Sequence, residues 1–177
     1  MKVLFLDFDG VLNNKQHMIA TKDFITPGAE TLNDADLFAM KRDIAPQNIW
    51  VLGFILDQVP DLNIVISSAW RSFYAFESFK ELFKIFKLDP SRIIDKTPKR
   101  FSSERMHEIR MWLEDWEEVN RKQVDWVAVD DHVIFNIEDE GKAREFLTDS
   151  WVGLTMHDAF GIIKHFKPDY KEPAIGI

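Results

Sequence analysis

"FLDFDGVLNN", residues 5–14, sets Asp7 and Asp9 two residues apart at the end of an apolar run and follows them with Gly10. Val3 to Leu6 is apolar without interruption, which suits a strand buried on both faces, as in a parallel sheet. Carboxylates at i and i+2 of an extended chain project to one side, roughly 6–7 Å apart. Their repulsion is below ~1 kcal/mol in water but a few kcal/mol at an effective dielectric of about 20. Asp-Gly pairs are also ordinary turn formers. The stretch is therefore either a turn or a reaction centre, and the rest of the chain decides.

Outward from it, "NIVISS" (63–68), "RII" (92–94), "VDWVAVDD" (124–131) and "EFLT" (145–148) read as further strands. Helices are predicted over about 45–59, 73–86, 103–119 and 156–166, the first with Pro46 in its opening turn and Pro60 beyond its end. Residues 13–43 are mixed and polar, with a turn signal "TPG" at 26–28, and read as a flap or small insert; the tail from Pro168 reads as loose. Strands alternating with helices predict one α/β domain over 1–177: a three-layer, Rossmann-like parallel sheet with helices on both faces.

Ligands of such sheets bind at the carboxyl ends of the strands. Asp7 with Asp9, Ser67 with Ser68, and Asp130 with Asp131 all stand at predicted strand ends. Several carboxylates in one place favour a hard cation: Mg²⁺ prefers oxygen ligands and keeps waters, and it attracts phosphate. Gly10 permits a tight turn beyond Asp9.

"DFDGV", "IVISS" and "WVAVDD", in that order, resemble the first, second and fourth motifs of haloacid dehalogenase-like (HAD) phosphohydrolases. "SSAWR", "RMHEIRMWL", "AVDD" and "DSWVGLT" are similar to a small capless HAD subgroup associated with RNA-repair proteins. The resemblance implies no large cap domain and a set of roles. Asp7 is the nucleophile that forms an aspartyl-phosphate. Asp9 is the acid for the leaving group and then the base for water. Mg²⁺ is held by the Asp7 carboxylate, the Asp9 backbone carbonyl and Asp130, with Asp131 a direct ligand or the holder of a metal-bound water. Ser67 hydrogen-bonds the phosphoryl group, or Ser68 if the register slips by one. Asp9 argues against dehalogenation, which has no need of this acid.

The family's third motif is a Lys or Arg near the start of the helix before the fourth strand. "KTPKRFSSER" offers Lys96, Lys99, Arg100 and Arg105. Arg105 shares a helical stripe with Ile109, Trp112 and Trp116 and is preferred; Lys99 is second. Arg clamps phosphate in a bidentate way that Lys does not. Arg71 either binds substrate phosphate or pairs with an acidic neighbour. Ser68, Arg71, Lys99 and Gly10 complete the substrate-binding candidates. Trp70 reads as packing, and His132 as a loop residue outside any zinc constellation.

Composition narrows the classes. The 177 residues carry a net charge of −8 and contain no cysteine. Thiolate chemistry and disulfides are excluded, and an extended nucleic-acid coating surface is disfavoured. The N-terminal apolar run is broken too early for a signal peptide, and "IWVLGFIL" (49–56) is too short to span a bilayer. A cytoplasmic protein without a membrane partner is expected. A receiver domain would carry its acidic pair on the first strand, and a Walker kinase would carry a Gly-rich loop; neither pattern is present. The expected function is a Mg²⁺-dependent phosphomonoesterase acting on a nucleotide or polynucleotide-end phosphate. The alternatives are a phosphatase of small sugar phosphates and a non-catalytic binding protein on the same scaffold.

Overall fold

The structure is a computed structural model and describes residues 1–21, 35–99, 104–136 and 139–173. Five strands form one parallel sheet: β1 (Lys2–Leu6), β2 (Leu62–Ile66), β3 (Ile93–Lys96), β4 (Asp125–Asp130) and β5 (Glu145–Leu147). Their order across the sheet is β3-β2-β1-β4-β5. Six helices connect them: α1 (Lys15–Thr21), α2 (Ala35–Asp43), α3 (Pro46–Gln58), α4 (Phe76–Ile85), α5 (Arg105–Asn120) and α6 (Met156–Phe166). This is the α/β class predicted from the alternation of strands and helices.

Alternate residues of β1 explain the layers. Leu4 and Leu6 pack with Leu52 and Ile55 of α3, Phe79 and Phe83 of α4, and Ile162 of α6. Val3 and Phe5 pack on the other side with Ile109 and Trp112 of α5. Each side chain of a strand points opposite to its neighbour, so a run that is apolar at every position needs a cover on both faces. Phe5 meets Trp112 and Trp126 edge to face, at centroid distances of 5.4 and 5.8 Å. α6 opens on a capping box: Thr155 N–H donates to Asp158 Oδ2 (2.9 Å), and Asp158 N–H donates to Thr155 Oγ1 (3.4 Å).

Several boundaries differ from the sequence reading. The helix expected from Phe73 starts at Phe76, because residues 69–72 close a 3-10 turn capped by Ser68. The third strand runs 93–96 rather than 92–94, since Pro90–Arg92 is itself a 3-10 turn. Within 13–43, α1 and α2 are helical, and residues 22–34, including the "TPG" turn, lie outside the described residues. No large cap is seen among the described residues. In the tail, Tyr170 lies tilted against Phe160 with ring centroids 6.3 Å apart, and Lys164 pairs with Glu172 at the surface. No described helix is long and apolar enough to cross a membrane.

Candidate active site

The register of the sheet brings the polar strand ends level. Leu6 lies opposite Ile66 on one side and Val129 on the other. The next rung is therefore Asp7 flanked by Ser67 and Asp130, and the ladder continues there: Asp7 N–H donates to Val129 O (3.1 Å) and Ser67 N–H to Leu6 O (2.9 Å). Asp7, Ser67 and Asp130 are all buried.

Arg105, the first residue of α5, ties these three ends together. Its Nη1 lies 3.1 Å from Asp7 Oδ2 and 3.1 Å from Asp130 Oδ2, and it donates to the Ser67 carbonyl. The inward stripe explains the placement: Ile109 and Trp112 bury the same helix face, and Trp112 Nε1–H fixes that face to Asp95 on β3 (2.7 Å). Lys99 is exposed and lines the cleft beside the cluster. Lys96 reaches the Arg71 carbonyl at 3.5 Å, and Arg100 lies outside the described residues.

Burial dominates the electrostatics. It raises the Asp7 carboxyl above its usual range; Arg105 opposes this, as do hydrogen bonds from the Ser68 hydroxyl and the Phe8 N–H (2.7 Å). Burial, reinforced by the Asp7 charge, pushes Asp130 up to about 7 against the pull of Arg105. Burial also works against the Arg105 charge, but Asp7 and Asp130 together hold the guanidinium above its ordinary range. The two buried carboxylates thus share one cation.

Asp9 is exposed, yet one of its oxygens is held by two buried donors. Asn13 Nδ2 and Trp70 Nε1 each approach Asp9 Oδ1 at 2.9 Å. Gly10 N–H donates to Asn13 Oδ1 (2.9 Å), and Thr148 Oγ1–H donates to the Gly10 carbonyl (2.9 Å). Gly10 has φ +67°, and a Cβ there would sit 2.3 Å from Asp131 Oδ2. The glycine is thus required both by its left-handed backbone and by the approach of Asp131. The loop carrying "DGVLNN" is anchored from beneath by Asn48, whose amide donates to the carbonyls of Val152 and Leu154 (both 2.8 Å) and accepts from Asn14 (2.6 Å).

The two serines differ. Ser68 caps the following turn, accepting from Trp70 N–H at 3.3 Å, and serves Asp7. Ser67 Oγ is buried with no hydrogen-bond partner among the described residues. Arg71 is buried, pairs with Glu108 of α5 and donates to the Ser68 carbonyl. Of the two roles open to Arg71, acidic pairing is the one displayed, although the side chain also lines the cleft. His132 stands nearer the cluster than a remote loop histidine would: its N–H donates to Asp130 Oδ1 (2.9 Å), and its exposed ring nitrogen lies 2.5 Å from Asp131 Oδ1.

These donors suit Mg²⁺. Asp7, Asp130 and Asp131 supply hard carboxylate oxygens. The negative charge at the strand ends exceeds what Arg105 offsets, and Gly10 leaves the space that Asp131 enters. Asp130, Asp131 and His132 also bring ligand atoms within 4.8 Å of one another.

Residues 3–159 match the family described as the HAD domain in Swiss Army Knife RNA repair proteins. The chain belongs to this HAD family. Neither the curated proteins nor the solved structures give a match. In this HAD domain the three strand ends that carry the motifs read from the sequence lie on one rung, Ser67–Asp7–Asp130.

Four participants escaped the sequence reading. Asn13 and Thr148 fix the Gly10 turn, the Trp70 N–H fixes Asp9, and Glu108 neutralises Arg71. Only Glu108 had a usable signal: it is an acid one turn along α5 from Arg105, beside the apolar stripe.

Proposed function

We propose that this HAD domain is a Mg²⁺-dependent phosphomonoesterase acting through an aspartyl-phosphate on Asp7, on the phosphate of a nucleotide or polynucleotide end. The observation that carries the reading is the buried Asp7 carboxylate sharing the Arg105 guanidinium with Asp130, beside the Ser67 hydroxyl, which has no hydrogen-bond partner among the described residues. A pre-set cation and an unpaired donor beside a nucleophile suit a phosphoryl group whose charge must be stabilised as it transfers.

Asp7 attacks phosphorus, the phosphorus–oxygen bond to the leaving group breaks, and Asp9 delivers its proton to that oxygen. Water then attacks the same phosphorus, its proton passes to Asp9, and the bond to Asp7 breaks, releasing phosphate. Asn13 and Trp70, both bonded to Asp9 Oδ1, leave the other carboxylate oxygen for the proton. Arg105 and Ser67 hold phosphoryl oxygens. Asp7, the Asp9 carbonyl, Asp130 and Asp131 would hold Mg²⁺, which supplies charge neutralisation at the phosphoryl group.

The test is phosphate release from aryl phosphate, mononucleotides, terminally phosphorylated oligonucleotides and sugar phosphates, with Mg²⁺ or a chelator. Release that needs Mg²⁺ and vanishes in Asp7→Asn supports the reading. Equal release by Asp7→Asn rejects Asp7 as nucleophile, and release from sugar phosphates alone rejects the substrate class.

A further inference from the structure

The cleft next to Asp130 has a volume of about 420 Å³, within the range of whole small-molecule sites. Its wall changes character along its length. Asp130, Glu108, Arg71 and the largely covered Arg105 form the buried end. Phe73, His132 and Val133 form the open end, with Phe73 76% and Val133 62% exposed. The two apolar side chains come from different loops: Phe73 follows β2, and Val133 follows β4, the strands on either side of β1. Lys99 stands in the same wall.

Single exposed apolar residues need no explanation. An aromatic ring and a branched aliphatic at the mouth of a cleft that leads to Arg105 and Asp130 make a more specific arrangement. A phosphoryl group uses only the buried end, where Arg105 stands. Phe73 gains from a flat ring laid on it, because stacking removes apolar area from water on both partners. Sugar alone offers no such face.

We infer that Phe73 and Val133 form a base-binding rim: the site takes a phosphomonoester that carries a nucleobase, with the phosphate toward Arg105 and the base on Phe73. Lys99 is the cation available to a neighbouring phosphodiester when the nucleotide ends a strand. The inference rests on the phosphatase reading of the same cleft, and it selects base-bearing substrates over sugar phosphates.

The experiment compares matched pairs with and without the terminal base. Adenosine 5′- and 3′-monophosphate are set against ribose 5- and 3-phosphate. Oligonucleotides with a 5′- or 3′-terminal phosphate are set against the same strands with an abasic terminal residue. The base-bearing member of the preferred pair is expected to have a kcat/KM about tenfold higher, mainly through KM, in line with the worth of one stacked base. Phe73→Ala lowers kcat/KM on that member about tenfold more than on its base-free partner, while Phe73→Trp retains the preference. The mononucleotide and oligonucleotide arms show whether the base is read on a free nucleotide or on a strand end. Equal kcat/KM within every pair, or an equal loss on both members in Phe73→Ala, overturns the rim. If no ester is hydrolysed, the phosphatase reading falls and calorimetric titration of the same pairs decides the rim separately. Base-dependent binding that Phe73→Ala abolishes then sustains it, and base-independent or absent binding overturns it.

Discussion

The indole nitrogen of Trp70 meets the carboxylate of Asp9 at 2.9 Å, joining the turn after β2 to the loop after β1. Trp70 also lies against Phe8, with ring centroids 5.0 Å apart, so the loop cannot drift without moving a buried ring. Trp70→Phe keeps most of the packing and removes only the N–H. If Asp9 protonates the leaving group, the loss falls on substrates that need the proton. We expect kcat to drop about tenfold on an alkyl phosphate and less on a nitrophenyl phosphate, whose leaving group departs readily. KM should change little on either. Steady-state kinetics on the pair is the check, and an equal drop on both would assign Trp70 to packing alone.

Gly10 predicts a coupled loss of stability and metal affinity. An alanine there would hold φ +67° and push a methyl to 2.3 Å from Asp131 Oδ2. Gly10→Ala should cost about 1–3 kcal/mol of stability and weaken Mg²⁺ binding. Denaturant melts and Mg²⁺ titration measure the two effects; an unchanged Mg²⁺ affinity would separate Asp131 from the metal.

The buried pair of Arg71 and Glu108 ties the turn after β2 to α5. Removing one partner leaves the other charge buried, which typically costs about 3–5 kcal/mol. Arg71→Met alone and Glu108→Leu alone should each destabilise the fold strongly, and the double variant should be closer to the parent than the sum of the two. Chemical denaturation of all four proteins closes that cycle. Strict additivity would mean that the two residues do not act together.

Stability should depend on pH through Asp130. Its carboxyl is pushed up from an ordinary 3.8 to about 7 by burial and by the Asp7 charge. An acid raised on folding contributes stability that is complete below its unfolded value and is lost as pH climbs to its folded value. With a chelator present, the protein should therefore lose stability between about pH 4 and pH 7, by at most ~1.4 kcal/mol per pH unit for one proton. Asp7 shifts in the same direction. Mg²⁺ bound beside Asp130 would displace that proton, so the rise in melting temperature on adding Mg²⁺ should be larger at about pH 7.5 than at about pH 5.5. A Mg²⁺ increment that does not vary with pH would contradict the placement of the ion beside Asp130.

Much of this was legible in the sequence because it depends on period and on strand ends. A run apolar at every position from Val3 to Leu6 implies cover on both faces, and the acids and serines just beyond such runs fall on one rung when the strands are parallel. The inward face of α5 was legible from the stripe that begins at Arg105. The contacts that aim Asp9 were not, because Asn13 and Trp70 meet it across a sequence separation of up to 61 residues. No local pattern encodes an indole N–H directed at a carboxylate. The anchoring of Asn48 by Val152 and Leu154 spans more than a hundred residues and was invisible for the same reason. The contact of Tyr170 with Phe160 was not legible from the prolines and charges of the tail, because it forms only in three dimensions.

The most direct test is to trap the covalent phosphate. The protein is mixed with Mg²⁺ and its best phosphomonoester, quenched in acid during turnover and reduced with borohydride, which converts an acyl-phosphate on aspartate to homoserine. Peptide mass spectrometry should then find homoserine at position 7, dependent on both Mg²⁺ and substrate. Turnover with Asp7 unmodified, or with the modification on another carboxylate, would contradict the account.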